Sequence, residues 1–267
     1  MANASDFSPS NEDLVINDFF NFAASEIYKT YGDKVTINRK SIHKFGRYQS
    51  LGAVEAPINF WGGGPLLSTS NSITHFSSTD AADTQTLYVE GMTISNGLLT
   101  FKAQTITLDG VNKTALPTPL ARCTRIANTA SATATAGDVY IYEDDTVTAG
   151  VPDTSTKIAN VMPAISQSSL LSGTSIASNN YFLITGIFAD VNKKTTATVD
   201  MHFRTARVGK VLRDVTVGAT STGFSLYREA TPFYIIPPNS DIQVYGASSA
   251  AGTDVTAGFN GFLADIV

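Results

Sequence analysis

After residue 33 the chain meets Gly, Pro, Asn or Asp at least every 15 residues, and the runs between these breaks alternate apolar and polar side chains. Runs that short are strands, and a long series of them without helices between implies antiparallel sheets closed into a sandwich or barrel. TTATVDMHFRT shows the period most clearly. Ala197, Val199, Met201 and Phe203 share one face, and Thr198, Asp200, His202 and Arg204 share the other, as a half-buried strand demands. In FKAQTITLDG, Ile106 and Leu108 oppose Thr105 and Thr107, with Asp109-Gly110 as the turn. GDVYIYEDD has Tyr140 and Tyr142 opposite Val139 and Ile141, so neither of its faces is expected to be fully wet. Further strands are expected at 35–42, 70–77, 85–94, 120–127, 157–162, 180–190, 211–218, 223–229, 232–236, 241–246 and 257–266.

One segment breaks the pattern. Between Ser10 and Gly32, apolar side chains recur at three- and four-residue spacing through Val15, Phe19, Phe22, Ala23 and Ile27, the signature of a helix with one buried face. Such a helix either lies on its own sheet or reaches a neighbouring subunit as an arm. The expected fold is therefore mainly β: two antiparallel β-sandwich or jelly-roll-like lobes with an N-terminal helix or arm. The expected divisions are a helical arm at 1–33, a first β-lobe at 34–155 and a second at 156–267. The boundary is set by the Gly-, Ser- and Thr-rich stretch between about 145 and 180.

Composition narrows the chemistry. Eighteen Lys and Arg against 23 Asp and Glu among 267 residues give a net charge of −5, the wrong sign for a nucleic-acid binder. Charged residues make up only 15 %, so polarity comes from Ser and Thr. The single cysteine, Cys123, excludes an intrachain disulfide and a cysteine-cluster zinc site. The opening residues lack a positively charged region, so no secretory signal is expected. No apolar stretch approaches the roughly 18 residues of a membrane helix.

No nucleophile elbow, phosphate loop, zinc-binding helix motif or dinucleotide fingerprint occurs. His43, His75 and His202 are far apart in sequence and are read as ordinary imidazoles. Asp80 and Asp83, and the turn Glu143-Asp144-Asp145, could in principle hold a hard cation, but solvated turns explain them as well. No cofactor, metal or enzymatic activity is expected. Two segments suggest contact surfaces. Arg204, Arg207, Lys210 and Arg213 form a local basic patch in an acidic chain. Phe233, Tyr234 and Ile236 sit among prolines in PFYIIPP, an apolar edge strand or corner. With Phe19, Phe20, Phe22 and Ile27 of the helix, these make the expected interface set.

Several motifs occur in one order: KFGR at 44–47, the turn Trp61-Gly62-Gly63-Gly64, SSTDAAD at 77–83 leading into TLYVEGMT, and then VNKTAL, LARCTRIANT and SQSSLLSG. Over residues 40–215 this order resembles a family of virion structural proteins from tailed phages, many of them marine. It departs from the family after Asp83, where Thr84-Gln85-Thr86 stands in place of extra glycines. The resemblance implies a non-enzymatic building block present in many copies, assembled in the bacterial host cytoplasm and located in the virion. It would be a capsid-surface (decoration or minor capsid) or collar component. Its partners would be copies of itself, with a trimer expected by analogy, and the major capsid protein or other virion proteins, with neither membrane nor direct nucleic-acid binding. The alternatives are a tail-associated receptor or glycan binder using Trp61 and tyrosines, and a polysaccharide-degrading enzyme using Asp80 and Asp83.

Overall fold

The computed structural model describes residues 11–64, 67–129, 131–192, 197–205, 210–219 and 224–267; for 11–18, 38–40, 192, 210–219 and 224–233 it describes the backbone path alone. The chain is mainly β with one N-terminal helix, α1 (Asn11–Tyr31). In chain order the strands are β1 (Val35–Leu51), β2 (Ala56–Pro57), β3 (Ile73–Ser78), β4 (Thr86–Ser95), β5 (Leu98–Thr107), β6 (Thr114–Leu120), β7 (Arg122–Ala127), β8 (Val139–Glu143), β9 (Val147–Thr148) and β10 (Val151–Pro152). They continue with β11 (Ile158–Met162), β12 (Gly173–Ser175), β13 (Asn180–Asn192), β14 (Ala197–Thr205), β15 (Lys210–Ala219), β16 (Phe224–Ile236), β17 (Asp241–Ser248) and β18 (Thr253–Ile266).

Two sheets form the larger module. One has the order β1-β18-β13-β16. The other runs β12-β17-β14-β15, with β2 on the same side of β17 as β12. All pairings are antiparallel. If β2 and β12 are taken as one interrupted strand, the orders become 1-8-3-6 and 2-7-4-5, two interlocked Greek keys, which is a jelly roll. Its core is filled from both inner faces by Leu51, Phe182, Ile187, Val199, Met201, Phe203, Ile236, Val244, Val255 and Phe259, among others. The alternation in TTATVDMHFRT is realised, with Ala197, Val199, Met201 and Phe203 all buried.

A second sandwich is inserted between β2 and β12. Its sheets are β11-β8-β3-β6 and β5-β4-β7, with a β9–β10 ribbon, and it has a core of its own built on Phe76, Leu87, Val89, Ile106, Leu120, Ile126, Ile141 and Met162. Residues 35–57, grouped by sequence with the segment up to 155, pair instead with C-terminal strands: β1 with β18 and β2 with β17. Likewise β11, beyond 155, pairs with β8. Helix α1 lies on the outer face of the first jelly-roll sheet. Ala23 and Ile27 are fully buried there against Tyr181, Leu183 and Ala264, Phe20 meets Phe262 edge-on at 5.4 Å, and Gly32 (φ 83) ends the helix.

The insertion point explains the KFGR glycine. A Cβ on Gly46 would lie 2.1 Å from the Ile58 carbonyl oxygen and 2.5 Å from the Ser172 nitrogen, because both crossings of the insertion pass over β1 at that residue. Gly46→Ala is expected to lower stability by about 2 kcal/mol or more, whereas Gly64→Ala, with open space around it, should change it little; denaturant unfolding of the two variants checks the contrast.

Candidate functional site

The motifs that carry the family resemblance converge on the frame of the molecule. In SSTDAAD, Ser78 Oγ donates to Asp83 Oδ2 at 2.6 Å, and the backbone N–H groups of Ala136 and Gly137 donate to the same carboxylate at 2.8 and 3.0 Å. Asp83 is buried, so three donors satisfy a charge that water does not reach. Ser77 Oγ donates to the Gly150 carbonyl, and the Asp138 N–H donates to Thr79 Oγ1. Gly110, Gly137 and Gly150 press so close that a Cβ on any of them would meet this loop's atoms at 2.4 Å or less. Asp80 accepts the Ala82 N–H at 2.8 Å. The two carboxylates hold a turn and do not face each other across a cleft.

The second acidic cluster is similarly engaged. Lys113 donates to Asp144 at 2.7 Å and holds its carboxyl below the ordinary carboxylate range. Lys157 and the Thr154 N–H bond Asp145, and Ser72 Oγ bonds Glu143. His75 lies 3.8 Å from Asp144; burial lowers its pKa against the pull of that carboxylate. Among the described residues no group of His, Cys, Asp and Glu is arranged to hold a metal ion.

The sharpest electrostatics lie where the inserted module meets the jelly roll. Arg122, on β7, forks onto Asp241, on β17, with Nε to Oδ1 at 2.9 Å and Nη2 to Oδ2 at 3.0 Å. Both side chains are 11 % exposed. Arg122 also donates to the carbonyls of Ser68 and Ala121, and Ser175 Oγ donates to Asp241, so the pair is hydrogen-bonded on both sides. Lys44 reaches from β1 to donate to the Thr124 carbonyl at 3.0 Å. Burial pulls its ammonium down to about 8 against the attraction of Glu90, and Arg125 adds to the fall. Beside it burial pushes the Cys123 thiol up to about 12, leaving it an inert core group. Arg47 completes the KFGR motif with a fork onto Asp254 at 2.7 and 3.0 Å.

Of the expected interface set, Ile27 and Ile236 are fully buried within this chain; both were expected to meet partners, and packing by α1 and by the jelly-roll core respectively accounts for them. Tyr234 is half-buried against that same core. Phe19 and Phe20 lie partly under the helix, and Phe22 is half-exposed. Arg204 is held by Glu55, with Nη1 to Oε2 at 2.6 Å and Nη2 to Oε1 at 2.7 Å, beside His202 and 5.3 Å from the centre of the Tyr245 ring. Partial burial raises the Glu55 carboxyl, and the hydrogen bonds from His202 and Arg204 outweigh it, leaving it low. Arg207 lies outside the described residues, and of Arg213 and Phe233 only the backbone is described. Trp61 is half-buried, its turn tied by Asn59 to Gly62 and Gly63.

The sequence reading did not single out Lys44, Arg122 or Asp241 individually. The available signal was charge embedded in strand-forming runs, KFGR, ARCTRIA and SDIQVY, of a chain otherwise poor in charge. Exposed apolar surface is found elsewhere, at Tyr28 (56 %), Phe45 (40 %), Leu98 and Phe101 (51 % each). No helix among the described residues is long and apolar enough to cross a membrane.

No family model matches the chain, and no curated protein matches it. Among solved structures it is similar to the crystal structure of the infectious bursal disease virus VP2 subviral particle, at 10 % identity over 92 % of this chain and 78 % of that chain, with a TM-score of 0.22. It is also similar to the structure of the Gt strain of that virus, at 11 % identity over the same shares, with a TM-score of 0.21. TM-scores of this size do not place the backbones on a common frame.

Two outcomes test the frame roles. Asp83→Asn turns an amide N–H toward backbone donors and should cost about 2 kcal/mol in denaturant unfolding. For Lys44 the folded-state pKa lies below the unfolded value, so the unfolded chain binds more protons between pH 8 and 10.5, and this group's contribution to stability rises with pH across that window. Lys44→Met abolishes that rise; its stability relative to wild type should fall by about 2 kcal/mol between pH 7 and 9.5, read from urea unfolding at each pH.

Proposed function

We propose that this chain is a non-enzymatic structural protein of a virion that works by adhesion, joining copies of itself and other shell proteins. One observation carries the reading: the motif residues of the family resemblance, Lys44, Gly46, Arg47, Asp83, Arg122 and Ser172, are engaged in holding the framework together. Jelly rolls are used by capsid proteins and by lectins, and fold alone does not choose between them. The resemblance favours the former. At the finer level it makes the chain a capsid-surface (decoration or minor capsid) or collar component of a tailed-phage particle, oligomeric and, by analogy, trimeric.

The adhesive surface is assigned to the exposed aromatics, which do not reach the chain's own cores: Tyr28 on α1, Phe45 on β1 and Phe101 on β5. Deleting residues 1–33 would not test this cleanly, because it would uncover Tyr181, Leu183 and Ala264. Point variants do. Light scattering of the full chain should give a discrete oligomer, and Tyr28→Ser, Phe45→Ser and Phe101→Ser combined should shift it toward monomer with little change in the unfolding midpoint. A wild-type monomer that binds glycans on an array, and loses them in Trp61→Ala, would overturn the proposal in favour of a tail-associated glycan binder.

A further inference from the structure

We infer that the inserted module is a rigid body carried on a hinge at residues 57–59 and 171–173, and that the polar joint around Arg122 and Asp241 is the latch that fixes its orientation. The two modules share no core residue. The covalent link is two crossings of the chain side by side. The Ile58 N–H donates to the Val244 carbonyl, the Val244 N–H to Ser172, and the Ser172 N–H back to Ile58, at 2.9, 3.0 and 3.2 Å. These bonds tie the two crossings to each other and to β17 at the neck.

Away from the neck the hydrogen-bonded part of the joint is extensive. It consists of the Arg122–Asp241 fork, the Lys44 ammonium on the Thr124 carbonyl, the Leu99 N–H on Asn239 Oδ1 at 2.8 Å, and the Ser178 N–H on the Leu99 carbonyl at 2.8 Å. Asn239 takes up a left-handed backbone (φ 54) in its turn, a conformation its side chain tolerates well. Among the described residues the apolar part is small: Met92, Leu99 and Ala177 with Ile94 at their edge, and Leu67, Leu171 and Ile242 beside the Arg122–Asp241 fork. Each polar group here can exchange its partner for water on opening, whereas a large apolar seam could not. Small polar contacts between domains are the kind that allow relative motion. A narrow opening bordered by Leu67, Arg122, Thr174, Asp241 and Gln243 already lies along the joint.

The test is native-state hydrogen exchange on the full chain. In Arg122→Gln/Asp241→Asn, which removes the fork and both charges while leaving polar side chains, the Leu99 and Ser178 amides should exchange at least tenfold faster. The amides of β8 and β14, at the centres of the two modules, should keep wild-type protection, and the radius of gyration from small-angle scattering should rise. Asn239→Gly keeps the left-handed backbone and removes one joint contact, so it serves if the double variant does not fold; it should accelerate the same two amides and spare the same strands. If protection falls in all four places together, the two modules open as one cooperative unit, and if it falls in none, the fork does not control the joint; either result refutes the latch.

Discussion

A chain that leaves a sheet at residue 57 and returns at residue 173 must hold its two ends side by side, and most of the chain's unusual residues follow from that constraint. Val244 receives both crossings, and Gly46 provides the bare backbone over which they pass. Arg122 and Asp241 then fix the module beyond the neck. Taking two charges out of water is costly, and a buried pair is retained without penalty only when its remaining hydrogen-bonding groups are also satisfied. Here Ser68, Ala121 and Ser175 supply those partners. Apolar residues of similar size could add comparable stability. They would not fix direction, and a forked pair does, because its two parallel bonds form at a single relative orientation.

Lys44 shows the same trade from the other side. Its ammonium has one carbonyl acceptor in a site whose burial favours the neutral amine, so at neutral pH it weakens the fold that it helps to align. Placing such a group at the seam, and building each core mainly from apolar side chains, separates what holds each module together from what sets one module against the other. This separation makes a hinge physically coherent, since the seam can open without exposing either core.

Much of the architecture was legible because period-2 alternation is a local property. TTATVDMHFRT, TLYVEGMTIS and the long C-terminal run became strands at or near their expected bounds. TALPTPL was missed as a strand, since Pro117 and Pro119 cannot donate to a ladder. It survives as β6 because that strand stands at the edge of its sheet. The assignment of residues 35–57 to the N-terminal lobe was misleading for a different reason. Pairing partners such as Val35 and Ile266 are set by topology, and nothing within either segment encodes the other. Ile27 and Ile236 failed as surface candidates on the same ground, for an apolar stripe states that a face is covered without stating by what.

The acidic clusters illustrate why residue type alone points so weakly to chemistry. Asp83, read in isolation, is a candidate acid, base or cation ligand. Surrounded by a serine hydroxyl, two backbone N–H groups and three glycines, it becomes the fixed point of a turn, and a carboxylate that already accepts three hydrogen bonds has little capacity left for a substrate. Asp144 and Asp145 reach the same end through Lys113 and Lys157. A chain with only 15 % charged residues has few ionic groups to assign, and here the carboxylates at turns and seams are committed to geometry. The exposed aromatics Tyr28, Phe45 and Phe101 are the contrasting case: no core of the chain has claimed them, and burying such rings in a contact requires shape and area but no reacting group.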